Sequence, residues 1–132
     1  MDHLWAPWRM EYIQREKDDN QGCVFCIKAE DIENDRNNLV LYRDDDIYVV
    51  MNLYPYTNGH LLICSNQHTD TMNDFTQTTL TKVMELAKQI MGILDNTMNP
   101  DGFNFGANLG KAAGAGIAEH IHFHVVPRWK GD

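Results

Sequence analysis

The sequence predicts an α+β domain: an antiparallel sheet of about five strands with one long helix packed across it. Three observations carry this. Residues 120–125 alternate imidazole and apolar side chain without a break, which is the period of a half-buried strand. Residues 39–42 and 47–52 are short runs rich in β-formers, separated by turn residues 43–46, and read together as an antiparallel hairpin. From Thr76 the period changes. Leu80, Val83, Met84, Ala87, Ile90, Met91 and Leu94 recur three and four residues apart, predicting an amphipathic helix of about twenty residues with Thr76 as N-cap.

Composition sets the frame. With 132 residues, 43% of them hydrophobic, the chain is read as a single domain over 1–132 with enough apolar material for a core. Its apolar runs are too short to span a bilayer, and its N-terminus is acidic and Trp-containing where a signal peptide is basic and then apolar. A soluble, cytoplasmic protein with no membrane association is expected. The formal charge of −8, from 11 basic against 19 acidic residues, argues against nucleic acid as a partner, which needs a basic footprint. Any phosphate must therefore be held locally, by imidazoles, backbone N–H groups or one or two cations.

In chain order, residues 1–12 hold Trp5, Trp8, Met10 and Tyr12 around Pro7. So much apolar surface must pack on something, in the core or in a dimer. Residues 14–21 read as a solvated loop. Cys23 and Cys26 form a Cys-x-x-Cys pair, but a redox motif wants a preceding strand and a following helix, and that context is not predicted. On spacing alone the pair reads equally as half of a zinc site or as unligated thiols. Cys64, inside an apolar run, reads as a small buried hydrophobe.

Residues 27–38 are polar, with at most a short helical turn. After the hairpin, residues 54–59 are turn chemistry and 60–65 form a third strand opened by His60. The helix is followed and stopped by Asn99-Pro100-Asp101-Gly102. Residues 103–108 alternate as a fourth strand. Residues 110–116 hold three glycines and three alanines, leaving a backbone that a ligand can approach.

The last strand places Ile121, Phe123 and Val125 towards a core and His120, His122 and His124 on the other face, successive rings roughly 6.5 to 7 Å apart. Any one of these histidines alone reads as structural. Three in register are harder to explain so, because each has two ring nitrogens to satisfy. Pro127 lacks a donor, and the strand is expected to end there.

The run matches His-φ-His-φ-His-φ-φ, with φ apolar. With Leu4-Trp5-Ala6-Pro7-Trp8-Arg9, Cys23-Val24-Phe25-Cys26, Asn108-Leu109-Gly110, Gly114-Ala115-Gly116 and Pro127-Arg128-Trp129, the chain resembles the histidine triad (HIT) family of nucleotide hydrolases and transferases, in the branch that handles diadenosine tetraphosphate. The resemblance covers nearly the whole chain. It implies a homodimer paired through the helix and an edge strand, and a structural zinc held by Cys23, Cys26, His68 and His120.

The chemistry can also be argued from the residues. A neutral imidazole attacks phosphorus when its other nitrogen is held by a hydrogen bond, and flanking imidazoles stabilise the charge that develops. The central ring, His122, is the expected nucleophile, as the resemblance also implies. His124 is expected on phosphate or bridging oxygens, and His120 orients the site, through His60 or as a zinc ligand. In the family the position of His60 lies behind the triad and helps orient it. Asn52 matches the ribose-binding position, with Val50, Met51 and Leu53 lining the base pocket. Asn108 and the backbone of Gly114, Ala115, Gly116 and Ile117 are expected to cradle the phosphates.

One departure from the family is visible. Many members carry Gln and Ser shortly before the triad, where this chain has Gly116, Ile117 and one extra residue. Three functions compete: cleavage of dinucleoside polyphosphates or related nucleotide esters through a nucleotidyl-histidine, with water or inorganic phosphate as second nucleophile; nucleotide binding for regulation with little turnover; and a catalytic metal centre built from the triad. The third is disfavoured, because side chains at i, i+2 and i+4 on a strand are too spread to meet one ion.

Overall fold

In the computed structural model, residues 23–52, 59–115 and 119–132 are described. The N-terminal aromatic segment, Leu53, Gly116 and Ile117 lie outside them. Five strands, β1 (Val40–Arg43), β2 (Ile47–Met51), β3 (Leu61–Ser65), β4 (Gly102–Gly106) and β5 (His122–Arg128), form one sheet in the order β1-β2-β3-β5-β4. Every neighbouring pair is antiparallel. The long helix, which we call α2, spans Gln77–Met98, and the Thr76 hydroxyl accepts from the amide of Thr79 as predicted for its N-cap. Asn99 ends it in the left-handed conformation (φ 51°), which Asn tolerates better than most residues.

The two faces of the sheet are filled differently. On one, Val83, Ala87, Ile90 and Leu94 of α2 pack on Ile47, Val49, Leu61, Ile63 and Val125. On the other, Tyr48, Val50, Leu62 and Cys64 pack with Val40 and Phe25. Cross-strand register puts His122 beside Cys64 and His124 beside Leu62, so these two imidazoles share the second face. Ile121 and Val125 are buried and Phe123 packs at the edge of the first cluster, as the alternation requires.

Four expectations are corrected. A helix, α1 (Val24–Glu30), begins directly after Cys23; seven residues are too few to show a clear helical period. The ladder of β5 starts at His122, because the chain before it bonds elsewhere: the amide of Ile121 donates to the carbonyl of Thr69 at 2.9 Å. The strand also runs through Pro127 to Arg128. The carbonyl of Arg128 accepts from Asp101 on the β4 side, so the nitrogen of Pro127 faces the β3 side, beyond Leu61 where β3 begins, and no ladder bond is lost. Finally, Met84 is 60% exposed instead of lying in the core, since it sits on the flank of the buried stripe.

Candidate active site and metal centre

Side chains from β1 and β2 bring α1 to the sheet. Its carbonyls at Lys28 and Ala29 accept from the Arg43 guanidinium at 2.8 and 2.6 Å, and the same group forms a two-pronged pair with Asp35. The Tyr48 hydroxyl donates to the carbonyl of Phe25 at 2.7 Å. Arg43 thus satisfies orphan carbonyls at the helix C-terminus, where a cation is also favoured by the helix dipole. The first turn of α1 is thereby fixed over the end of β3.

That turn supplies two sulfurs. Cys23 Sγ lies 3.3 Å from His120 Nδ1, and Cys26 Sγ lies 3.1 Å from His68 Nδ1 and 3.4 Å from His120 Nδ1. The four ligand atoms fall within 4.8 Å of one another. Tetrahedral zinc with Zn–S near 2.3 Å and Zn–N near 2.0 Å separates sulfur from nitrogen by about 3.5 Å. The four residues fit such an ion in spacing and in chemistry. His120 Nε2 is 2.6 Å from the carbonyl of Ser65; its proton must sit there, leaving Nδ1 as the ligating lone pair, the arrangement common behind metal-bound histidines. Burial, and then the neighbouring Cys23 sulfur, push the Cys26 thiol up to about 11. A divalent cation would reverse that by holding thiolates.

The triad continues from the same histidine. His120 is fully buried, and His122 is 8% exposed. His122 Nδ1 lies 2.9 Å from the carbonyl oxygen of His120. A carbonyl only accepts, so Nδ1 carries the proton and Nε2 keeps its lone pair. The Phe25 ring packs on His122 at 4.6 Å and on His120 at 5.5 Å between centroids. Phe25 escaped the sequence reading; its place between the two cysteines is the one signal that could have pointed to it.

His60, 4% exposed, approaches His124 and not His120: its Nε2 is 2.9 Å from His124 Nδ1. Its other nitrogen is 3.0 Å from Asn52 Nδ2. Asn52 is thus brought to the triad. Val50 is buried on the triad face beside Leu62, whereas Met51, next along β2, is 39% exposed. Asn108 is exposed. Gly114 ends a short 3₁₀ turn with φ 91°, a conformation that favours glycine, and an added Cβ there would lie 4.0 Å from Asn108 Nδ2. The two residues therefore flank one loop, and Ala115 N–H closes it on the carbonyl of Gly110 at 3.2 Å.

Two histidines on β5 and a third, His120, just before it in a Cys/His cluster set a group of imidazoles beside four residues that could hold a metal ion. The HIT domain profile matches residues 33–131, and the chain belongs to the HIT family. It is 36% identical over its whole length to a protein named AP-4-A phosphorylase from Mycobacterium tuberculosis, covering 70% of that protein. A bis(5'-adenosyl)-triphosphatase from Dictyostelium discoideum is 30% identical, over 74% of this chain and 64% of that protein. Among solved structures, a Zn-bound histidine triad family protein from Mycobacterium smegmatis superposes with a TM-score of 0.71 at 31% identity, covering 84% of this chain and 78% of that one.

Proposed function

We propose that this chain cleaves dinucleoside polyphosphates, diadenosine tetraphosphate foremost, through a nucleotidyl intermediate on His122. The observation that carries the reading is the bond from His122 Nδ1 to the carbonyl of His120, which leaves Nε2 as the attacking atom. Nε2 forms a bond to the α-phosphorus while the bridging P–O bond breaks, and the electron pair leaves with the nucleoside polyphosphate. His124 donates a proton to that leaving oxygen. Water or inorganic phosphate then attacks the phosphorus and breaks the P–N bond, giving AMP in a hydrolase or ADP in a phosphorylase. The names of the two relatives support the substrate class and span both outcomes.

Asn52 would meet the ribose, Val50, Met51 and Leu53 the base, and Asn108 with the backbone of Gly114, Ala115, Gly116 and Ile117 the phosphates. Cys23, Cys26, His68 and His120 would hold zinc with no open position, so its role is structural. What His120 contributes is its carbonyl, held beside the nucleophile. A cytoplasmic homodimer is the working form this reading expects. Incubation with diadenosine tetraphosphate, with and without phosphate, tests it: ATP with AMP, or ATP with ADP when phosphate is present, is the expected product set. Intact substrate under both conditions would leave only nucleotide binding, and His122→Ala separates turnover from contaminating activity.

A further inference from the structure

We infer that Asn52 is a positioning residue that decides which nitrogen of His124 carries the proton, acting through His60. The inference deepens the reading of the triad above and rests on it. The two links are short: Asn52 Nδ2 to His60 Nδ1 is 3.0 Å, and His60 Nε2 to His124 Nδ1 is 2.9 Å. A neutral imidazole has one donor and one acceptor nitrogen. An amide nitrogen only donates, so His60 Nδ1 must accept and the proton of His60 sits on Nε2. That proton is donated to His124 Nδ1, which in turn places the proton of His124 on Nε2.

The opposite amide orientation reverses every member of the row. Oδ1 would accept from His60 Nδ1, His60 Nε2 would accept from His124 Nδ1, and His124 Nε2 would present a lone pair to an anionic phosphate. A leaving oxygen needs a proton and a phosphate oxygen needs a donor, so only the observed orientation gives His124 the function required of it. The row is built to hold. His60 is 4% exposed, and the Asn52 amide donates to the His60 carbonyl at 3.0 Å, so backbone and side chain tie the same two residues together.

The amide has a second end. With Nδ2 turned to His60, Oδ1 is the atom suited to accept from a ribose hydroxyl. A bound ribose and a correctly protonated His124 therefore demand the same orientation, and the sugar of the nucleotide is read in the chemical step as well as in binding.

Nuclear magnetic resonance of the full chain labelled with ¹⁵N-histidine tests this without substrate, through long-range ¹H–¹⁵N correlations at a pH where the imidazoles are neutral. Wild type should show His60 and His124 both protonated at Nε2. In Asn52→Asp the carboxylate can only accept, so a proton should appear on His60 Nδ1. A proton on His60 Nδ1 in wild type, or an unchanged His60 in the variant, overturns the inference. The carboxylate still accepts from a ribose hydroxyl, so in turnover of diadenosine tetraphosphate KM should stay within about threefold while kcat falls on the order of tenfold or more. A raised KM with unchanged kcat would reduce Asn52 to sugar binding and also overturn it. Because the first arm uses no substrate, a wild-type protein inactive on dinucleotides would defeat the proposed function and leave the tautomer result readable.

Discussion

His122 Nδ1 is hydrogen-bonded to the carbonyl of His120, two residues earlier in the chain. The same His120 gives its ring to the Cys/His cluster and its Nε2 proton to Ser65. One residue therefore orients a candidate nucleophile with its backbone and a metal position with its side chain.

Replacing His122 by Ala should reduce turnover by at least about 10³-fold, since no other group supplies the attacking atom. The fold should survive with a cost of roughly 1 kcal/mol from lost packing on Phe25, seen as unchanged far-UV circular dichroism and a melting temperature a few degrees lower. Near-normal turnover in the alanine variant would end the covalent mechanism.

Protein prepared without chelator should contain about one zinc per chain by elemental analysis. Because a structural zinc contributes on the order of 10 kcal/mol to ordering its ligands, Cys23→Ser should lower the melting temperature more than it lowers the rate per folded molecule. A metal-free preparation equally stable, or a Cys23–Cys26 disulfide, would contradict this.

Arg43 joins the end of α1, Asp35 and β1, and lies over the Tyr48 ring at 5.5 Å. Arg43→Ala should cost about 2 kcal/mol in urea unfolding, as partly buried bonds to a charged group are lost. Arg43→Lys should recover only part, because a single ammonium cannot reproduce the planar fork. Equal stability of all three proteins would show that α1 is held by other contacts.

Acid should destabilise the hairpin turn. Burial alone would raise the Asp44 carboxyl, but N–H groups of Asp46 and Ile47, the Tyr42 hydroxyl and Lys82 outweigh it and hold it below its ordinary value. The bonds from Arg43 likewise lower Asp35. Both contributions are complete above the unfolded carboxylate value of about 4 and disappear as pH falls through the lower folded values. Asp44→Asn should flatten that acid limb and lose stability at neutral pH; a limb of unchanged slope would place the linkage elsewhere.

The sequence by itself determined the elements with strong periods. The 22-residue helix Gln77–Met98 and the strands of the hairpin follow from apolar spacing, which is a local property of the chain. Resemblance to a family added the roles expected of Cys23, Cys26, His68 and His120, and the structure brings those four side chains together.

What only the tertiary structure decided depends on pairs distant in sequence. The helix after Cys23 is too short to announce itself, and it is held by Arg43 and Tyr48 from strands that follow it. Resemblance to the family, not residue type, linked His60 to the triad and offered His120 as its partner; the antiparallel pairing of β3 with β5 puts it against His124 instead. Pro127 stops a strand only where its nitrogen faces a partner, and the start of β3 at Leu61 removes that partner. In each case local chemistry offers several outcomes, and the register of the sheet selects one.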